Sequence, residues 1–480
     1  MVERLPVRSC APDEIGRAPV YVVWEVTLAC NLKCVHCGSR AGRPRHAELS
    51  TAECLDVIDQ LAALGTREIT LIGGEAYLRP DWLVLVEAIS RGGMHAGLQT
   101  GARALTKAKV AAAAAAGLRS AGVSVDGPEE LHDELRGVRG SHGQALRALG
   151  LLRDHGLSGS VNTQVNARSL PHLRTILRTV AEAGATAWQV QLTTAMGEAA
   201  DRPELLLQPH QVLELMPLLA QLFDEAEALG VRLQPGNNVG YFGPFELLWR
   251  SLTGRPEHYA GCGAGLVALG LEADGTVKGC PSLPTAPYAG GNVRDRSLRE
   301  IWADAQAATA FRRDPARNSE RLWGYCRTCY YAEPCSGGCT WTAHVLTGRP
   351  GNNPYCHHRA LDLAGRGLRE RIERREAAPG RPFDHGLHEI VVEDAEGRIA
   401  GQELFDAWPA RCRAGGLVPF TTCRSFVRED EPACPFCGRD PRAPGLADRA
   451  AAAERSLAEL AATLSRLGVP RPAQAGSPPA

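Results

Sequence analysis

From Tyr21 to about residue 235 the chain alternates short β-branched runs with amphipathic stretches and carries no hairpin signal. YVVWEVT (21–27), EITLIG (68–73), HAGLQT (95–100), SAGVSVD (120–126), SVNTQVN (160–166) and TAWQVQLT (186–193) read as strands. A helical pattern follows each of them. The first opens on the capping box Ser50-Thr51-Ala52-Glu53, sets Cys54, Ile58, Leu61 and Leu64 on one face, and stops at Gly65. The others begin at Pro80, in an Ala-rich run ending at Gly117, near Gln144, at Leu170 and at Pro209. Six strand–helix units without hairpins require parallel strands joined by right-handed crossovers. The expected fold is therefore α/β: a partial, TIM-like (β/α)6 barrel over 21–235, behind an N-terminal extension (1–20). Reactive groups belong at the carboxyl ends of such strands. Cys30–Cys37, Gly74-Glu75, Asp126, Asn166 and Thr193-Thr194 fall there.

The loop after the first strand, ACNLKCVHCGSR, holds Cys30, Cys34 and Cys37 at spacing C-x3-C-x2-C. Four thiolates usually complete a zinc or iron site. Three so close together suggest a cluster with one iron left free to bind a substrate or cofactor. The other reading is a zinc site that borrows a ligand, His36 being the nearest. Cys54 lies on a core face and reads as a small hydrophobe; Cys10 reads as a lone thiol.

Composition narrows the setting. With 53 basic and 54 acidic residues, the chain has no global basic field for nucleic acid or an anionic membrane. MVERLPVRSC is not a signal peptide, and no run approaches the roughly 20 apolar residues of a membrane helix. A cytoplasmic location follows as the expectation, in which thiols stay reduced. The 16 cysteines then imply metal or clusters rather than disulfides. The length of 480 residues allows two to four domains.

After residue 235 the periodicity stops. Residues 236–357 are rich in Gly, Pro and Cys, read as loop-dominated, and need a staple other than a core. Residues 358–378 read as an Arg-rich linking helix, and PGRP (379–382) as a boundary. A small C-terminal domain (379–468) follows, with a strand HEIVVED, four more cysteines and an amphipathic helix near 446–467; 469–480 reads as a disordered tail.

Cys30-x3-Cys34-x2-Cys37 at the end of a first strand resembles the signature of radical S-adenosylmethionine (SAM) enzymes. The resemblance covers 21 to about 235. It implies a [4Fe–4S] cluster on those three thiolates, with SAM on the fourth iron and a 5′-deoxyadenosyl radical that abstracts a substrate hydrogen. Gly73-Gly74-Glu75 resembles the family's GGE motif, which receives the SAM ammonium. Independently of that, a glycine pair permits close backbone approach and a carboxylate complements a cation. Ser124 and Asp126 resemble the residues that hold the ribose and methionine ends of SAM, although VDGP is also a turn sequence. Gln99, Thr100, Gln164, Asn166 and Gln191 point to the same rim, as cofactor or substrate contacts or as strand-end caps. Arg136 reads either as an orienter of a carboxylate or as a solvated helix charge.

Seven later cysteines resemble the SPASM domain of radical SAM enzymes that modify peptides: Cys262, Cys280, Cys326, Cys329, Cys335, Cys339 and Cys356. The resemblance implies a first auxiliary cluster on Cys262, Cys280 and Cys339, and a second on Cys326, Cys329, Cys335 and Cys356. The first lacks an evident fourth thiolate; an open iron, His258 or Glu257 are the candidates. Pro281 stands where sulfatase-maturing relatives carry an acidic residue, which disfavours that activity. Beyond the resemblance, Cys412, Cys423, Cys434 and Cys437 end in a CPFC knuckle followed by Gly, which favours structural zinc over a further cluster.

The implied activity is hydrogen abstraction from a ribosomally made precursor peptide, giving a thioether or carbon–carbon crosslink, epimerisation or excision. An external one-electron donor of flavodoxin or ferredoxin type would feed it. About twenty residues precede the first strand, so leader recognition would fall to the C-terminal region, the SPASM surface or a separate leader-binding protein. The alternatives are maturation of a small molecule or haem-type cofactor, and a non-catalytic zinc- or cluster-binding scaffold.

Overall fold

The computed structural model describes residues 10–250, 257–304, 306–412, 415–420 and 424–438. Strands β1 (Tyr21–Thr27), β2 (Glu68–Gly73), β3 (His95–Thr100), β4 (Leu118–Ser124), β5 (Ser158–Val165) and β6 (Ala187–Leu192) lie side by side in sequence order, all parallel. A seventh, β7 (Arg232–Pro235), pairs in parallel with β6. The first crossover helix, Thr51–Leu64, shows how locally each unit is specified. Ser50 Oγ accepts from the Glu53 amide, the Glu53 carboxylate accepts from the Ser50 amide, and Gly65 ends the helix at φ +86°.

Alternation along the strands sets two faces. Val161, Thr163 and Val165 of β5 and Trp188, Val190 and Leu192 of β6 are buried; all but Thr163 share one core with Leu149, Leu152, Ile176, Leu177 and Val180 of the helices. The residues between them, Asn162, Gln164, Gln189 and Gln191, keep some exposure. The helix-covered side is thus apolar, and the other side is a polar trough.

The cysteine-rich region shares this sheet. β8 (Ala268–Leu271) joins β1 in parallel, and β9 (Thr276–Lys278) and β10 (Ala289–Asn292) continue antiparallel. The sheet has ten strands ordered β10-β9-β8-β1-β2-β3-β4-β5-β6-β7. The sequence shows only loops there because strands of four residues or fewer are too short to display a period.

The linking helix expected over 358–378 is a helix only for His357–Ala364. After Gly365 and Gly367 the chain becomes β11 (Leu368–Glu376), antiparallel to β12 (Leu387–Asp394), which also pairs with β13 (Ile399–Ala400). The charges that suggested a helical face are a cross-strand ladder: Arg369 and Arg371 reach Glu393 at 2.6 and 2.9 Å. Glu370 and Ile372 alternate inward. The boundary expected at PGRP therefore falls inside a hairpin. A second hairpin, β14 (Leu417–Phe420) and β15 (Ser425–Arg428), precedes the CPFC turn. Cys423, the helix expected at 446–467 and the tail lie outside the described residues. Among the described residues no helix is long and apolar enough to cross a membrane.

Candidate active site

The cysteine loop springs from the carboxyl end of β1. Cys30 N–H donates to Gly42 O at 3.2 Å and Gly42 N–H to Leu28 O at 2.9 Å, which closes its neck. Every sulfur in it faces an N–H donor: Leu32 N to Cys30 Sγ and Ala41 N to Cys37 Sγ, both 3.4 Å, and Arg136 Nη1 to Cys34 Sγ at 3.7 Å. Burial, with Glu75 and the other two thiols adding, pushes Cys30 up to about 12. Burial and Cys37 push Cys34 up to about 11 against the pull of Arg136. The Cys30 and Cys34 thiols are therefore neutral at pH 7, and a metal bound by them would displace their protons.

Gly73 and Gly74 close β2 against the root of that loop. A Cβ on Gly74 would lie 2.2 Å from Ala29 O and 2.7 Å from Cys30 Cβ; one on Gly73 would lie 2.2 Å from Thr27 O. Gly74 N–H and Glu75 N–H donate to Thr27 O and Ala29 O at 2.9 and 2.8 Å. The Glu75 carboxylate is buried and accepts from Gly101 N at 2.6 Å and from the Thr100 hydroxyl. Burial pushes it up to about 7 despite those bonds.

Asp126 is fully buried just beyond β4. It accepts from Arg136 Nε at 2.7 Å and Gln164 N at 2.9 Å, while its own N–H donates to His132 Nδ1 at 3.1 Å. Burial works against its charge, but Arg136, His36 and His132 outweigh it and hold the carboxyl below the usual range. Arg136 thus orients a carboxylate and also reaches Cys34, so it is no solvated helix charge. His36 turns toward Asp126, its Nε2 3.5 Å from Oδ2. Asn166 Oδ1 accepts from Arg168 N and Ser169 N at 2.9 and 3.0 Å and caps that turn.

The polar trough supplies groups that sequence inspection passed over. Asn162 stands beside Ser124 in register, and Gln189 beside Asn162. The signal was present as the strict alternation S-G-S-V-N-T-Q-V, read only at its end. Gln99 occupies space that Gly122 leaves, since a Cβ there would lie 2.2 Å from Gln99 Oε1; its buried Nε2 has no hydrogen-bond partner. Thr193 Oγ1 is likewise buried and unpartnered. A strand-end rim with unpaired polar atoms above a three-thiol loop fits an amphipathic, hydrogen-bonding cofactor.

The seven later cysteines fall into two groups. Burial and Cys262 push Cys280 up to about 11; burial, Cys262 and more weakly Cys280 push Cys339 up to about 12. Separately, burial raises Cys329 and Cys335; both feel Cys326 and Cys356, and Cys335 also feels Cys329. Cys326, Cys329, Cys335 and Cys356 line one pocket with Tyr325, Tyr331, His358 and Arg359. Arg359 is fully buried, pairs with Glu370 at 2.6 Å and reaches Cys326 Sγ at 3.9 Å. Among the described residues no three His, Cys, Asp or Glu side chains converge on a single metal ion. Thiolates around a four-iron cluster stand farther apart than ligands around one ion. His258 Nδ1 lies 3.0 Å from Tyr259 O, and its ring lies 5.5 and 5.1 Å from those of Phe242 and Phe426. Glu257 is half-buried. In the C-terminal set, Cys434 is buried, Cys412 half-buried and Cys437 exposed.

The tip of the β11–β12 hairpin docks beside the cysteine loop. Asp384 Oδ1 accepts from Arg40 Nε at 2.8 Å, and Asp384 O from Gly197 N at 2.8 Å. Lys278 Nζ lies 4.2 Å and the Arg45 guanidinium 5.5 Å from the centre of the Phe383 ring. The cations here are paired: Arg40 also with Asp201 at 2.7 Å, Arg45 with Glu25 at 2.8 Å and Glu272 at 3.2 Å, Lys278 with Glu272 at 2.6 Å.

Comparison with known proteins agrees with this arrangement. Residues 24–166 match the radical SAM superfamily, and residues 262–330 match the SPASM iron–sulfur cluster-binding domain. The mycofactocin maturase MftC of Mycolicibacterium smegmatis is 30% identical over 71% of this chain and 83% of its own length. The chain belongs to the radical SAM superfamily and carries a SPASM domain. The AdoMet-dependent heme synthase of Oleidesulfovibrio alaskensis is 29% identical over 68% of this chain and 84% of its own length. Streptococcus suis SuiB, solved with the precursor peptide SuiA, shares the fold at TM-score 0.54 and 17% identity, covering 70% of this chain and 75% of SuiB. This radical SAM protein is an enzyme that uses SAM and [4Fe–4S] clusters, auxiliary clusters included.

Proposed function

We propose that this radical SAM enzyme matures a ribosomally made precursor peptide. In this reading Cys30, Cys34 and Cys37 hold the catalytic cluster, Cys262, Cys280 and Cys339 the first auxiliary cluster, and Cys326, Cys329, Cys335 and Cys356 the second. A bound, reduced catalytic cluster supplies the electron that splits SAM into methionine and a 5′-deoxyadenosyl radical, which removes a carbon-bound hydrogen. The rest is the chain's own work. Gly73 and Gly74 bring β2 against the loop, with Glu75 and Asp126 fixing the neighbouring strand ends. Ser124, Gln164 and the free Gln99 amide offer polar contacts to SAM, and Asn166 shapes the rim through its turn. Arg136 places positive charge beside Cys34. Phe383 and the sheet wall off water. Electrons arrive from an external flavodoxin- or ferredoxin-type donor. Structural zinc at Cys412, Cys423, Cys434 and Cys437, and a separate leader-binding protein, belong to the same proposal.

The observation that carries a peptide substrate is the pairing of Arg40, Arg45 and Lys278 with carboxylates of the chain. A carboxylate-rich tetrapyrrole would seek free cations, and these are spent. A second reading, haem-type maturation, draws support from the heme synthase relative. Two parallel reactions decide: reconstituted enzyme with dithionite and SAM, given either the short peptide encoded beside the gene or a carboxylated tetrapyrrole. Loss of about two hydrogens from the peptide, as for an oxidative crosslink, supports the proposal. Turnover of the tetrapyrrole with the peptide unchanged refutes it.

A further inference from the structure

The three-thiol auxiliary group has one ligand fewer than a closed four-iron cluster needs, and one buried side chain beside it has an idle oxygen. Tyr259 is 3% exposed, and its hydroxyl has no hydrogen-bond partner. A buried, unpaired hydroxyl costs about 1–3 kcal/mol, so such groups call for an explanation. The charges acting on this phenol are the thiols of Cys262, Cys339 and Cys335, with the Arg312 guanidinium opposing them. Two of those three thiols belong to the incomplete group.

The ring is held on every side. Its backbone N–H donates to the buried Glu246 carboxylate at 2.7 Å, which also accepts from Phe242 N at 3.1 Å. Its face lies 4.6 Å from the ring of Tyr241, and the Arg250 guanidinium sits 5.2 Å from its centre. Tyr241 in turn accepts from Cys339 N–H at 3.0 Å, which ties this aromatic pair to a cysteine of the same group. His258, the neighbouring candidate, has its Nδ1 beside Tyr259 O and its ring packed against Phe242 and Phe426. Burial and the neighbouring thiols hold the free phenol well above its usual range against the pull of Arg312, so iron bound there would have to displace its proton.

We propose that Tyr259, through its phenolate oxygen, is the fourth ligand of the first auxiliary cluster. The inference rests on the assignment of Cys262, Cys280 and Cys339 to that cluster. On binding, the O–H bond breaks, the proton leaves to solvent and the oxygen's electron pair makes the bond to iron; no redox change is required. A hard oxygen donor in place of a thiolate leaves the cluster closed to small ligands while marking one iron as unlike the other three.

The test uses the full chain with Cys30, Cys34 and Cys37 changed to Ala, so that only auxiliary iron remains. About eight irons per chain should be retained; about four or none would overturn the ligand assignment itself, separately from the role of Tyr259. The probe is 13C-cyanide added to the reduced protein, read by electron-nuclear double resonance. The Tyr259 background should bind none, and Tyr259→Phe, which preserves the ring and its packing, should bind about one cyanide per chain. Cyanide uptake by the Tyr259 background would show an open iron, and no uptake by Tyr259→Phe at full iron content would show another fourth ligand; either result overturns the proposal. Loss of four irons in Tyr259→Phe, with the second cluster's signal intact, would support it.

Discussion

Replacing Arg136 by Met isolates the electrostatic knot between the cysteine loop and the sheet. In the metal-free protein Cys34 is a neutral thiol, pushed up to about 11, and burial holds His36 neutral, down to about 4. The charge partner of Arg136 there is Asp126, 2.7 Å away and fully buried. At an effective dielectric of 20, opposite charges at that distance attract by about 6 kcal/mol. Desolvation cancels part of this, and removing one partner of a buried pair typically costs about 3–5 kcal/mol, because the other charge is left stranded. Arg136→Met should therefore lower the urea midpoint of the barrel by about 1–2 M. Trp24, Trp82 and Trp188, buried in the barrel, contribute to the tryptophan fluorescence that reports the transition. Asp126→Asn strands the arginine and should cost a similar amount. Arg136→Met combined with Asp126→Asn strands neither charge, and should recover at least about 2 kcal/mol relative to the sum of the single changes. If the double variant is as unstable as that sum, the two residues are not coupled, and the knot is not what fixes the loop.

Two further outcomes follow from the same geometry. Gly74→Ala forces a Cβ to within 2.7 Å of Cys30 Cβ; reconstituted iron should fall by about four per chain while the auxiliary iron stays, and full iron content would show the loop to be compliant. His132 is held neutral, its pKa lowered to about 3 chiefly by burial, against 6.5 in the unfolded chain. The unfolded state takes up the proton first, so the contribution of His132 is constant above pH 6.5 and falls as pH drops toward 3, by about 2 kcal/mol at pH 5; His132→Asn, which keeps an acceptor for Asp126 N–H, should remove that share of the slope in urea titrations, and an unchanged slope would place the effect elsewhere.

The parallel core was legible because each unit announced itself locally. Strand runs, the Ser50–Glu53 box and Gly65 all act within a few residues, and β1, β2 and β3 begin and end where the pattern says. What stayed hidden depended on partners far along the chain. The sequence RERIERRE carries both a helical charge pattern and a strand alternation, and only pairing with β12 selects the second. β8 is a strand because β1 has a free edge, not because ALGL demands it. The same division holds in the site. Cysteine spacing picked out the loop after β1, but the partners of Glu75, Asp126 and Asn166 are long-range or turn-bound. Spacing also pointed to His258 and Glu257 for the vacant ligand position and passed over Tyr259, since a tyrosine carries no metal-binding pattern of its own.

The C-terminal strands explain why this region cannot be a detached appendage. Asp384 reaches the cysteine loop after β1 through Arg40, and Phe383 covers Lys278, two residues before Cys280. Glu370 reaches Cys326 through Arg359. Tyr331, which lines the four-thiol space, donates to Phe426 O at 2.7 Å, and its ring stacks on Phe436 of the CPFC turn at 5.8 Å. One region therefore supplies charge or cover beside all three thiol groups. A buried guanidinium beside a thiolate-bound cluster lowers the cost of adding negative charge there, and an aromatic cover keeps water, and with it dielectric screening, away. Both effects act on how readily each site gains or loses an electron. The CPFC turn is thus coupled to the four-thiol group through packing.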